Sequence, residues 1–288
     1  MKMRGDRFRL VLLLAVAMMF WLAAPSGFRS FEAQAAPAAD PWPRWKTADQ
    51  NNPAEIDFTA WDTLLAKYLR PSSTGINLFR YVAVTKADRA ALDQDVARLA
   101  ALPISTYNRA QQRAYWINLY NALTIKVVLD HFPVDTIMEI NISPGFFSFG
   151  PWDKKLLQIE GEAVSLNDME HRILRPLWGD PRTHYALNCA SLGCPNLGLT
   201  AYRAQDMEAR LDAAAQAYIN HPRGVRFADG KLTVSTIYEW FIADFGGDEA
   251  GVLAHLKRYA DPALSRRLSS HSGFDDTAYD WALNGTAN

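Results

Sequence analysis

Fourteen consecutive residues, Arg182 to Pro195 (RTHYALNCASLGCP), hold both cysteines of the chain, Cys189 and Cys194, beside Arg182, His184 and Asn188. Reactive polar groups set next to an apolar run are costly to bury, so their hydrogen-bonding capacity must be satisfied or used. Three chemistries fit the residue types. A disulfide between Cys189 and Cys194 would close a short loop in an oxidising compartment. Two thiolates with His171 and His184 would make a four-ligand zinc set, but the histidines lack paired spacing, so no metal is expected. A thiolate activated by an imidazole would be a nucleophile for acyl transfer or hydrolysis.

The partner of such a thiolate depends on local structure. Arg182 to Asn188 reads as a short strand, in which residues two apart share a face. Arg182, His184 and Asn188 then look one way and Cys189 the other, so His171 becomes the candidate base for Cys189. Asn118, Asn121, Glu170 and Cys194 complete the set expected to line the site. Asn118 and Asn121 lie three apart on a helix that is apolar on nearly every face, and a buried amide needs partners. They tie down loop backbone or line a polar cleft.

The elements that must position these groups are mostly helical. Apolar spacing predicts helices over Asp57–Leu69, Lys86–Ala101 and Arg109–Phe132, the last buried all round. Ser165 and Asp168 form a capping box, with Asp in place of Glu, for a helix through Leu174 that carries Glu170 and His171. Further helices are predicted over Asp206–Asn220, from Thr236 through TIYEWFIADF, and over Gly251–Tyr259. Hairpins are predicted around Glu160-Gly161-Glu162 and Asp229-Gly230. The aromatic stretch Ser143 to Asp153 packs on the core or walls the site. His131 suits the C-terminal end of its helix, while His221, His255 and His271 sit in loop or polar surroundings. The fold class is α+β: a predominantly helical single domain with a small antiparallel sheet.

Composition sets the compartment and excludes some partners. Lys2, Arg4, Arg7 and Arg9 precede the apolar run Leu10 to Ala24, and Ala33-Gln34-Ala35 fits a cleavage site, so residues 1–35 read as a signal peptide. Residues 36–55, rich in Ala, Pro, Asp and Asn, read as a linker, followed by one globular domain over 56–288. Without residues 1–35 the chain keeps 25 basic and 29 acidic residues. That balance offers no footprint for nucleic acid. A periplasmic or secreted protein is expected, touching membrane only through the signal segment.

The segments RAYWINLYNALTI, GPWD, SLNDMEHRILR and Arg182 to Pro195 together resemble, in order, the domain-of-unknown-function family numbered 547. EWFIADF and YDWALN look like its C-terminal continuation, so the resemblance runs from about Leu102 to Asn284, with a core at about 102–222. It implies a domain common in exported bacterial proteins. The same domain also ends plant proteins that begin with a coiled coil, whose heptads this chain lacks. It carries Asn118, Asn121, His171, Arg182, His184, Asn188, Cys189 and Cys194 as shared positions without roles, and it implies no activity. Two functions remain open. One is a binding or scaffold module for an envelope ligand or protein. The other is a thiol-dependent hydrolase or acyl-transferase on peptide-like or cell-wall substrates, with Cys189 and His171 as the pair. No cofactor is expected.

Overall fold

Helix α3 (Arg109–His131) is buried on every face, and each residue from Ala114 to Ile125 is shielded from solvent. It occupies the interior of the computed structural model, which describes residues 37–145 and 149–286. The expected signal peptide lies outside the described residues. Helix α2 (Lys86–Ala100) packs beside it, and α1 (Thr59–Tyr68) packs on α2. Side-chain caps start two of the three: Thr85 accepts from the Asp88 amide at 3.1 Å, and Asn108 accepts from the Gln111 amide at 3.0 Å.

The fold is α+β and predominantly helical, with strands confined to small ladders. Strands β1 (Leu69–Pro71) and β2 (Asn77–Phe79) pair antiparallel, as do β3 (Leu157–Ile159) and β4 (Glu162–Val164). Strands β5 (Val225–Ala228) and β6 (Lys231–Ser235) form the hairpin predicted around Asp229-Gly230. Asp229 and Gly230 have φ of 51° and 77°, the left-handed pair that a two-residue type I′ turn requires. A later strand, β7 (Asp276–Ala278), joins β6 in parallel.

Two apolar cores meet near the site. The first gathers around α1 to α3 and takes in Met169, Ile173 and Leu187. The second joins the β5–β6 hairpin to helices α6 (Met207–Ile219), α7 (Ile237–Trp240), α8 (Glu249–Tyr259) and α9 (Pro262–Leu268). No helix among the described residues is long and apolar enough to cross a membrane.

Three local expectations are corrected. Arg182 to Asn188 is not a strand: Thr183–Ala186 is one turn of helix, α5, and only from Leu187 is the chain extended. Asp180 and Pro181 cause this. The Asp180 carboxylate accepts from the Arg182 amide at 2.9 Å, and the Asp180 and Pro181 carbonyls accept from the Thr183 and His184 amides. The turn thereby satisfies its own backbone without a partner strand. The described part of the expected linker, residues 37–55, is not loose either. The Asp40 and Trp42 amides donate to the His171 and Arg172 carbonyls, and Trp45 is buried with its ring 5.1 Å from that of Trp116. Two tryptophans anchor a segment whose other residues are those of a linker. Finally, the helix predicted through Phe245 ends at Trp240, and turns carry Phe241 to Phe245 onward.

Candidate functional site

Helix α5 sits on the seam between the cores, with Tyr185 in the second and Ala186 in the first. Side-chain amides hold the chain that leaves it. The Asn121 side chain donates to the Ala186 carbonyl and accepts from the Asn188 amide, both at 2.9 Å. Asn188 continues the relay: it donates to the Pro195 carbonyl at 2.8 Å and accepts from the Ala190 amide at 2.9 Å. These bonds close the loop that carries the cysteines. Ala190, at φ 61°, is left-handed without being glycine, a conformation that costs energy unless its surroundings impose it.

Within the loop Cys189 and Cys194 form a disulfide with a Cα–Cα distance of 6.2 Å. Cys194 is buried and Cys189 is half-buried. The Tyr279 hydroxyl lies 3.0 Å from the Cys189 sulfur and 3.1 Å from that of Cys194, and the Ser191 hydroxyl donates to it at 2.9 Å. Tyr279 is delivered by a close backbone approach. The Leu192 and Gly193 amides each donate at 2.8 Å, to the Ala282 and Asp280 carbonyls. A Cβ on Gly193 would stand 2.8 Å from the Asp280 nitrogen, so glycine is required there. Burial pushes the Tyr279 phenol pKa well up, and the Glu170 charge adds to it, so the ring is a neutral phenol.

Glu170 and His171 come from the helix before α5, and His184 from α5 itself. Ser165 and Asp168 form the capping box: the Asp168 carboxylate accepts from the Ser165 amide at 2.8 Å, and the Ser165 hydroxyl accepts from the Asp168 amide at 3.2 Å. Asp168–Leu174 then winds as a wide π-type turn before resuming as α4 (Arg175–Trp178). The extra residue per turn brings Met169, Glu170 and His171 all into the interior, a feature that recurs at functional sites.

His184 stands between two carboxylates. Its Nε2 lies 2.7 Å from Asp244, its Nδ1 lies 3.7 Å from Glu170, and its ring stacks on Phe241 at 4.0 Å. Burial alone would raise the Asp244 pKa, but bonds from His184 and Arg175 outweigh it and hold the carboxyl below its usual range. Arg175 grips Asp244 through Nε at 2.6 Å and Nη2 at 3.0 Å, and its Nη1 donates to His171 Nδ1 at 3.0 Å. Burial, aided by the charges of Arg175 and His184, lowers the His171 pKa against the pull of Glu170. The neutral His171 ring thus carries its proton on Nε2.

Half-buried aromatic rings form a shelf beside the disulfide. Trp281 lies 5.9 Å from Trp152, 5.6 Å from Trp240 and 4.7 Å from Tyr279, and Trp240 lies 4.9 Å from Tyr279. Trp152 comes from the aromatic stretch singled out in the sequence, of which residues 146–148 lie outside the described residues.

The structure therefore gathers Glu170, His171 and His184 into one polar chain, and Asn188, Cys189 and Cys194 into one loop that Asn121 clamps from α3. Asn118 and Arg182 go elsewhere. Asn118 clamps Tyr202, donating to its carbonyl at 2.7 Å and accepting from its amide at 2.9 Å. Arg182 pairs with Asp180 at 2.7 Å and Asp212 at 2.8 Å, because the helical turn points it away from the side expected of a strand. His255 is also not in polar surroundings: it stacks beside Tyr185 with Nε2 2.9 Å from that hydroxyl, and burial pushes its pKa down to about 4.

Arg175, Asp244, Trp240, Tyr279 and Trp281 were not among the expected site residues. Arg175 lies one helical turn after His171, a spacing that points to contact. The others lie far along the chain and carry no local signal.

Residues 104–219 match the model of a family described as "Protein of unknown function, DUF547". The matched stretch contains the amides, Glu170, both site histidines and the cysteines, while Asp244, Trp240, Tyr279 and Trp281 lie beyond its C-terminal end. No curated protein and no solved structure matches the chain.

Proposed function

We propose that this chain, whose residues 104–219 match the DUF547 family model, is an exported binding module of the cell envelope. Its ligand would present an apolar face to the shelf of Trp152, Trp240, Tyr279 and Trp281 and a hydrogen-bonding edge to Glu170. One observation carries this reading. The Cys189 sulfur is bonded to Cys194 and covered by Tyr279, and His184 and His171 each have a fixed partner. The polar groups thus hold structure, while half-buried aromatic rings supply the large contact area that recognition sites use. The disulfide and the basic, apolar start of the sequence support export.

A second reading, a thiol-dependent hydrolase or acyl-transferase, is favoured by the backbone around Cys189. The left-handed Ala190 beside it and the π-type turn carrying Glu170 and His171 are features that concentrate at catalytic sites. In that reading Cys189 becomes the nucleophile only after its disulfide is reduced. Thiol labelling of the purified protein separates the two. The binding module expects no labelling without reductant, and tryptophan fluorescence that responds to cell-wall glycan or peptide fragments, weakened about tenfold in W281A. Rapid labelling of Cys189 in preference to Cys194 near neutral pH, once the disulfide is reduced, would overturn it in favour of the enzyme.

A further inference from the structure

A recess of about 230 Å³, walled in part by Tyr279, opens between the cysteine loop and the β5–β6 hairpin. Gly193, Pro222, Arg223, Arg226, Thr233 and Tyr279 are among its walls. Arg223 is the more buried of the two arginines there. Its guanidinium donates to two neutral acceptors, the Leu192 carbonyl at 3.1 Å and the Asn196 side chain at 2.7 Å, and lies 5.4 Å over the Tyr218 ring. Among the described residues no carboxylate pairs with it, and its buried Nε has no hydrogen-bond partner. Burial lowers its pKa, and the titratable neighbours that act on it are tyrosines, Tyr218 and Tyr279.

A half-buried cation without a counter-charge is costly, and several arginines of this protein have one, although Arg109 and Arg210, like Arg223, meet only neutral acceptors. Arg113, Arg175 and Arg182 each meet a carboxylate. Arg226, which faces the same recess from β5, also has no ion-pair partner among the described residues. Two carboxylates stand near. Asp280 lines the rim but is exposed and accepts from the Ala282 amide at 2.9 Å, and Asp276 lies one strand beyond Thr233. Neither pairs with Arg223 or Arg226.

We propose that this recess is an oxyanion-binding site, in which a carboxylate or phosphate group enters between Arg223 and Arg226. A guanidinium offers five N–H donors in a planar fork, and Arg223 commits few of them to protein acceptors, so donors remain for such a group. Thr233 adds a hydroxyl, and Pro222 and the Tyr279 ring offer apolar contact to whatever bears the anion. Gly193 belongs to the disulfide loop and Tyr279 touches both its sulfurs, so occupancy bears on the same loop that adjoins the shelf. The inference stands independently of the binding-module reading, because it shares only Tyr279 with the shelf and does not use Glu170.

Thermal unfolding of the full chain in acetate or inorganic phosphate, at constant ionic strength against chloride, tests it. At least one of the two anions is expected to raise Tm saturably, and R226A, at an exposed position, should need at least fivefold more anion for half the effect. Saturation by phosphate alone identifies a phosphoryl group, and saturation by both identifies carboxylate-bearing ligands. Arg223 also holds Leu192 and Asn196, so R226A rather than an Arg223 variant carries the test. A shift that never saturates in either anion, or one identical in R226A and wild type, overturns the site.

Discussion

Asn121 holds Asn188 through its backbone: the carboxamide of one accepts from the amide of the other at 2.9 Å, while donating to Ala186 at 2.9 Å. A single side chain on α3 thus spans the exit from α5 as a neighbouring strand would. It fixes the direction in which Cys189 leaves.

Asn121→Ala should therefore destabilise the protein. Truncation orphans a buried carbonyl and a buried amide, a loss of about 1–3 kcal/mol where one partner of a buried bond is removed. Urea unfolding followed by circular dichroism measures it, with a lower midpoint and an unchanged slope expected. A midpoint equal to that of wild type would mean that the loop holds its course without the clamp.

The amide pair is legible in the sequence because its two parts are local. An apolar helix predicts burial, and polar residues three apart on it predict partners. The Ser165–Asp168 box is legible for the same reason, since its bonds close within three residues. Helix α5 is not. Its alternation reads as a strand, while the residues that wind it, Asp180 and Pro181, precede it, and the clamp on its exit comes from Asn121. Nor is most of the site wall legible. Asp244 reaches His184 across 60 residues and Tyr279 reaches Cys189 across 90, and no spacing rule operates at such separations. The docked arm escapes a compositional reading because composition averages over a segment, whereas Trp42 and Trp45 anchor it individually.

Removing the disulfide should lower stability without abolishing the fold. The loop closed by Cys189 and Cys194 is short, with a sequence separation of 5, so the chain-entropy cost of losing it is about 2 kcal/mol. The double variant C189A/C194A, unfolded in urea, is expected to show that loss. Asn121 and Asn188 still hold the loop ends, so its near-ultraviolet circular dichroism should stay close to wild type. Complete unfolding of the variant at room temperature would show that the amide clamps contribute less than their geometry indicates.

Arg175→Ala should be the costliest change near the site. The buried guanidinium grips Asp244 twice and supplies the proton-donating partner of His171. Breaking such a pair from one side leaves Asp244 without its main counter-charge, at about 3–5 kcal/mol for a fully buried pair and somewhat less here, since Asp244 is partly exposed. Arg175→Lys restores the charge but not the fork, so it should recover only part of the loss. Equal stability of the Ala and Lys variants in chemical denaturation would contradict a role for the charge.

The acid side of the stability profile should carry the signature of His255. Its folded pKa of about 4 lies below the ordinary histidine value because burial beside Tyr185 and Phe245 disfavours the imidazolium. Between those two values the unfolded chain binds a proton that the folded chain refuses, so stability is fully present above about pH 6.5 and falls as pH drops towards 4. The loss attributable to this one group is roughly 2–3 kcal/mol across that window, and His171, lowered for the same reason, adds to it. In His255→Gln the side-chain amide can still hydrogen-bond to the Tyr185 hydroxyl but no longer titrates. Its unfolding free energy should fall less steeply than that of wild type between pH 6.5 and 4, with the two curves running parallel above pH 7. Parallel curves over the whole range would show that His255 takes up its proton in the folded protein as readily as in the unfolded chain.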